Sequence, residues 1–368
     1  MGILLMILLQ NVVFGLYVSY RIYISFFSEY RALIAVPVIF LINDSFLILR
    51  VSSKNFGFIP PDWLSLIVHM ILGLTVYLFL FFLASDIIRI VFKIAGKPFI
   101  SQLMQGAAVA GLSLVLLIYG YWNSHNTKIK SYAVSLNKPS AAPFRIAAVS
   151  DIHIGADMSA ARLAKIADRI NGFSPSLIFI AGDTIDHDIR DFSEKHKEAF
   201  KKLSAPYGVY AVMGNHEYYS GDPDEIIDVF NQAGMAVLKD EAEYIEALGV
   251  YVLGRDSLRH TNSDGSERKS IDELAPLIED KEKPVIILDH VPKGAKDGEK
   301  IGADIQISGH THDGQFFPVN FIVRAMYPLS SGMLDINGFH FFVSSGLGLW
   351  GPPMRVGTDS EILIIDIK

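Results

Sequence analysis

Five of the chain's 11 histidines fall inside five short polar motifs in its second half. These motifs are Asp151-Ile152-His153, Gly182-Asp183, Gly214-Asn215-His216-Glu217, Asp289-His290 and Gly309-His310-Thr311-His312. Histidines serving only to fill a core would be scattered, whereas these are grouped with carboxylates and a carboxamide. Brought together, the motifs offer four imidazoles as ligands, two carboxylates, one carboxamide oxygen and a further histidine. That set can hold two adjacent divalent metals. The chain has no cysteine, which excludes disulfides, zinc–thiolate sites and thiol catalysis.

Chemistry of this kind needs elements that bring the motifs to one place. Each motif follows an apolar run: Ile146-Ala147-Ala148-Val149, Leu177-Ile178-Phe179-Ile180, Val209-Tyr210-Ala211-Val212, Val285-Ile286-Ile287-Leu288 and Asp304-Ile305-Gln306-Ile307. Such runs read as strands buried on both faces of a sandwich or doubly wound sheet. Ligand-binding loops gather at the carboxyl ends of strands in these folds, so the motifs are expected to meet. The intervals from Asp151 to Asp183 and from Asp183 to Asn215 match a strand–helix–strand unit. Helical patterns at Ala160–Gly172 and Asp224–Ala233 complete a layered α/β design.

A lone Gly-Asp or Asp-x-His carries little information, but the ordered set does. Residues from about 144 to 368 resemble the calcineurin-like metallophosphoesterases, whose pattern D-x-H, G-D, G-N-H-[DE], H and G-H-x-H is present in full. Closer features are Ser308-Gly309-His310-Thr311-His312 with Gly314-Gln315, and the tail Ser345-Gly346-Leu347-Gly348 with Gly351-Pro352-Pro353-Met354-Arg355. These are similar to a membrane-associated bacterial branch that includes UDP-diacylglucosamine pyrophosphatase-type enzymes. The resemblance implies a four-layer αββα sandwich. It implies one metal on Asp151, His153, Asp183 and His312, and a second on Asp183, Asn215, His290 and His310, with Asp183 bridging. It implies attack by a metal-bridged hydroxide and makes His216 the proton donor to the leaving oxygen. Mixed nitrogen and oxygen ligands suit manganese, iron or zinc. Glu217 is expected to orient the His216 ring or to form a surface salt bridge, and Gly182, Gly214 and Gly309 to let the backbone turn. Asp313 stands where the branch has glycine, and Asp289 and Val291 depart from a tighter His-x-Pro loop.

Ahead of the motifs lie four apolar stretches, 3–20, 32–49, 63–85 and 104–122, each about long enough to span a hydrocarbon core. They predict an all-α four-helix transmembrane region at 1–122, a linker with an edge strand near Ile129–Leu136 at 123–143, and the catalytic domain at 144–368. Asp44 is expected to pair with a neighbouring helix or touch headgroups, and His69 to hydrogen-bond between helices. Arg21, Arg31, Arg89, Lys93 and Lys97, read as loop charges, favour an extracytoplasmic catalytic domain in a multi-pass protein.

Residues 1–144 carry 10 basic and 4 acidic side chains, and the remainder 22 and 35, net charges of +6 and −13. An acidic catalytic half lacks the footprint that neutralises nucleic-acid phosphates, which excludes DNA and RNA as partners. The expected function is therefore a membrane-anchored phosphoesterase acting on a lipid-linked phosphate or pyrophosphate at the bilayer. Alternatives are a tethered phosphoesterase for soluble substrates and a non-catalytic membrane sensor or scaffold.

Overall fold

The computed structural model describes residues 2–27, 32–56, 60–258 and 268–368. The chain divides into a helical unit, residues 1–122 with Gly351–Met354, and a catalytic unit, Asn123–Trp350 with Arg355–Lys368.

In the catalytic unit two six-stranded mixed sheets face each other. The first runs β1 (Lys128–Val134), β12 (Glu361–Ile367), β2 (Phe144–Val149), β3 (Leu177–Ala181), β4 (Val209–Val212) and β5 (Ala236–Val237). The second runs β10 (Gly332–Ile336), β11 (Phe339–Val343), β9 (Ile305–Ser308), β8 (Val285–Leu288), β7 (Val250–Gly254) and β6 (Glu241–Ile245). The period-two alternation of the apolar runs builds the layers. Ile146, Ala148, Leu177 and Phe179 point inward and meet Val252, Ile286, Ile305 and Phe342 of the other sheet. Their neighbours Ala147, Val149, Ile178 and Ile180 point outward, against α6 (Ala160–Asn171), α7 (Glu194–Phe200) and α9 (Pro223–Gln232). On the other outer face Tyr251, Leu253, Ile287 and Phe341 pack against Ile271 and Leu274 of α10 (Ile271–Leu274). Helix, sheet, sheet and helix follow in that order, the expected αββα arrangement.

Within residues 123–143 lies β1, parallel to β12 at the sheet's edge, in register from Lys128–Glu361 to Val134–Ile367. All five apolar runs that precede motifs are strands, with β2, β3 and β4 mutually parallel and β8 parallel to β9.

The helical unit differs from the four-span expectation. Among the described residues two helices are long and apolar enough to cross a membrane, α4 (Asp62–Ile94) and α5 (Gln102–His125). The first predicted span falls in α1 (Gly2–Phe26), and the second is interrupted at Asp44 between α2 (Ala32–Asn43) and α3 (Ser45–Phe56). Each of those two pieces has 12 residues, about 18 Å, short of the roughly 30 Å of a hydrocarbon core. Polar side chains mark the break. Asn43 donates to Ser19 and accepts from Thr75, and Asp44 fills the space beside Gly15 of α1. His69 bonds the Ser65 carbonyl one turn back in its own helix, not a neighbour, while its ring meets Phe46 edge-on. Arg21 and Arg89 are not loop charges either. Both lie inside helices, with Arg21 paired to Asp86 at 3.0 Å and Arg89 to Gln105.

Candidate metal centre

The motif loops leave the carboxyl ends of five strands, and those after β2, β3 and β9 enter a conformation that L-residues rarely adopt. Asp151, His153, Asp183, His310 and His312 have φ of 52, 48, 52, 72 and 49°. Each such residue costs on the order of 1–2 kcal/mol. The loops survive because their backbones are bonded to one another. Asp151 N–H donates to the Gly182 carbonyl (2.9 Å), His153 N–H to Asp183 (3.1 Å), Gly309 N–H to His290 (2.9 Å) and Gly348 N–H to Asp151 (2.7 Å).

The motif glycines do more than turn the chain. Gly182, at φ 82°, needs the left-handed region, and a Cβ there would also lie 2.7 Å from His290 Nδ1. At Gly214 and Gly309, whose φ values are ordinary, the constraint is space. A Cβ would reach 2.1 Å from Asp183 Oδ1 in one and 2.4 Å from Asp151 Oδ2 in the other.

These loops bring six of the seven sequence-predicted ligand residues together, His310 half-buried and the other five buried, and Asn215 is buried on the adjoining loop. Asp151, His153 and His312 present ligand atoms within 4.8 Å of one another, as do Asp183, His290 and His310. The Nε2 atoms of His153 and His312 face each other at 3.1 Å. Burial first, and the neighbouring His153 second, hold the His312 imidazole well below its ordinary pKa, so it is neutral and carries a lone pair. His290 Nδ1–H donates to the Ala181 carbonyl (2.7 Å), which leaves Nε2 as the ligating nitrogen, 3.0 Å from Asp183 Oδ2. Burial alone would pull His290 down, but the Asp183 carboxylate pushes it up to about 10. Buried Asn215 Oδ1 has no hydrogen-bond partner. Converging lone pairs and an orphaned buried acceptor are the donor chemistry that divalent cations satisfy.

His216 sits beside this cluster, its ring edge-on to His153 at 4.6 Å. Its Nδ1 lies 2.5 Å from the Asp186 carbonyl oxygen, so Nδ1–H donates there and Nε2 is the ring nitrogen left for other chemistry.

Three residues hold the site in roles the sequence did not assign, and Asp186 was not singled out at all. Asp186, three residues after Asp183, places Oδ1 3.2 Å from His153 Nδ1 and 3.5 Å from His216 Nδ1, and Oδ2 3.2 Å from His187 Nε2. Its position in Gly-Asp-Thr-Ile-Asp was the available signal. Glu217 neither orients His216 nor reaches the surface. It is fully buried and accepts the backbone N–H groups of Asp183 (3.0 Å), Thr184 (2.6 Å), Ile185 (3.1 Å) and Gly214 (2.7 Å). This one carboxylate ties the Gly182-Asp183 loop to the Gly214-Asn215 loop. Arg355, also fully buried, donates to the carbonyls of His312 (3.3 Å), Gly346 (3.1 Å) and Gly348 (2.9 Å). Burial lowers its pKa to about 10, and its role explains the Gly346–Arg355 tail.

The two departures from the family pattern also have structural reasons. Asp313 is left-handed (φ 47°), as glycine would be, and its carboxylate takes Arg324 at 3.0 and 2.6 Å and Ser330 at 2.6 Å. It faces neither solvent nor a metal ligand. Asp289 is paired with Arg255 and Arg268, behind the His290 loop.

Comparison with known proteins agrees with this geometry. The calcineurin-like phosphoesterase family model matches residues 144–314. A metallophosphoesterase of Aquifex aeolicus is 31% identical over 264 residues, 70% of this chain and 98% of its own length. The chain belongs to the calcineurin-like metallophosphoesterases. A metallophosphoesterase of Campylobacter jejuni is 29% identical over 90% of this chain and 87% of its own length. A zebrafish (Danio rerio) relative, 26% identical over 84% of this chain and 74% of its own length, is named a transmembrane protein with a metallophosphoesterase domain. As a calcineurin-like metallophosphoesterase the chain is a metal-dependent phosphoester hydrolase. The family uses two divalent metals, and the His and Asp clusters here fit them.

Proposed function

We propose that this metallophosphoesterase cleaves a phosphoester or pyrophosphate bond of a lipid-borne substrate at a membrane surface. The observation that carries the reading is the joining, in one chain, of the buried His/Asp cluster with two helices long and apolar enough to cross a membrane. Asp151, His153, Asp183 and His312 would hold one cation. Asp183, Asn215, His290 and His310 would hold the other, with the two oxygens of Asp183 shared. When bound, two divalent cations polarise the phosphoryl group and make water nucleophilic near neutral pH. The neutral Asn215 oxygen limits negative charge in a site that must accept phosphate. His216, with Nδ1 committed to Asp186, has Nε2 as its exchange nitrogen. In its protonated form that nitrogen donates to the departing oxygen as charge develops there. The resemblance of Ser308–His312 with Gly314-Gln315, and of Ser345–Gly348 with Gly351–Arg355, to a bacterial branch acting on lipid-linked pyrophosphates supports this reading.

The test is substrate competition in vesicles. Full-length protein with manganese should turn over a lipid phosphate or lipid-linked pyrophosphate at least about tenfold faster than p-nitrophenyl phosphate at equal bulk concentration, because confinement raises effective concentration. A preference for the soluble ester would favour a tethered enzyme with a soluble substrate.

A further inference from the structure

We propose that Phe317–Met326, the segment that follows the metal loop, is a surface that seats the metal centre on a lipid bilayer. The inference rests on the lipid-substrate reading and assigns it a physical contact. Phe317, Phe321, Ile322 and Met326 are 47, 60, 61 and 66% exposed. At spacings of four, five and nine residues they share one side of α12 (Val319–Met326) and the turn before it. Large side chains at this exposure, in one ten-residue segment, form a patch that water does not favour.

The opposite side of α12 is fixed to the site. Asn320 is buried, and its Cα would lie 2.5 Å from a Cβ built on Gly314. Arg324 forms its two-point bond with Asp313, the residue after His312, and Ser330 adds a third bond. The apolar surface is therefore braced directly against the loop that carries His310 and His312.

Several observations select a bilayer as the occupant. Residues 316–334 contain no Asp or Glu and a single Arg, in a half of the chain that is otherwise acidic. An anionic membrane surface repels carboxylates and accepts aromatic and aliphatic side chains. Exposed Trp350 (54%) is joined to the metal loop, its N–H and C=O both bonded to the Gln315 side chain at 2.9 and 2.8 Å. The same chain carries two helices long and apolar enough to cross a membrane.

Because the chain has no cysteine, a single introduced thiol reports on this surface in the full-length protein. Ile322→Cys and Met326→Cys, each labelled with an environment-sensitive fluorophore, are reconstituted in phosphatidylcholine–phosphatidylglycerol vesicles with nitroxide on the acyl chains. Emission should shift to the blue and be quenched several-fold more than from the exposed control Lys281→Cys. In parallel, Phe321→Ser combined with Ile322→Ser should lower the ratio of lipid to soluble turnover by about tenfold. Labels at 322 and 326 that escape lipid quenching would overturn the proposal, as would a blue shift without lipid quenching, which places a second copy or another protein there. Lipid quenching together with a preference for soluble esters would keep the seating surface and remove the lipid-substrate reading. Lipid turnover without quenching would do the reverse.

Discussion

Single residues show where sequence reasoning worked and where it stopped. Ligand types and order were legible because metal chemistry admits few side chains, and strand ends are where those chains must stand. Second-layer partners were not legible, because a carboxylate that holds a histidine looks like any other acid. Asp186 and Glu217 differ in burial and partners, not in type. Their separate jobs give contrasting variants. His216→Ala should keep most of the metal and lose activity by on the order of 10²–10⁴-fold, less for substrates with acidic leaving groups. Asp186→Asn should weaken metal binding roughly 10–100-fold by freeing His153. Metal titration and a leaving-group series on the two purified variants separate these roles. Equal metal loss in both, or a loss of rate at His216→Ala that ignores the leaving group, would reassign them.

At the level of elements, the five motif strands were readable because each is a short, largely apolar run, almost wholly buried. Strand β10 was not, since most of its side chains are exposed and its pattern is mixed. The helical unit misled for a physical reason. Arg21, Tyr17, Asp86 and Gln105 bond to one another between helices, and such internal polar pairs look like loop charges when read along the sequence. By contrast, the edge strand expected near Ile129–Leu136 is β1, paired along its length with β12. The glycine argument belongs here, because it concerns how tightly loops approach. Gly309→Ala puts a methyl 2.4 Å from Asp151 Oδ2, so the loop or the carboxylate must shift. The variant should fold with a melting temperature near that of the parent while losing most metal binding, measured by calorimetry and metal analysis. Full metal content in a folded Gly309→Ala protein would show that the close packing is not needed.

For the whole molecule, charge and hydropathy divide the sequence as the structure does, a basic apolar part and an acidic catalytic part. The sequence pointed to a membrane, and among the described residues two of the four expected spans are continuous helices long and apolar enough to cross one. The central claim is narrower than substrate or topology: two divalent cations at the Asp183 centre perform the hydrolysis. The most direct measurement strips the full-length protein of metal, titrates manganese back, and follows bound metal and phosphoester hydrolysis together in the parent and in Asp183→Asn. The parent should bind two ions per chain, with activity absent before addition and restored as the sites fill. Asp183→Asn should lose both binding and hydrolysis, because the shared carboxylate serves both positions. Full hydrolysis by the rigorously metal-free parent, or an active Asp183→Asn protein with both ions in place, would contradict the account.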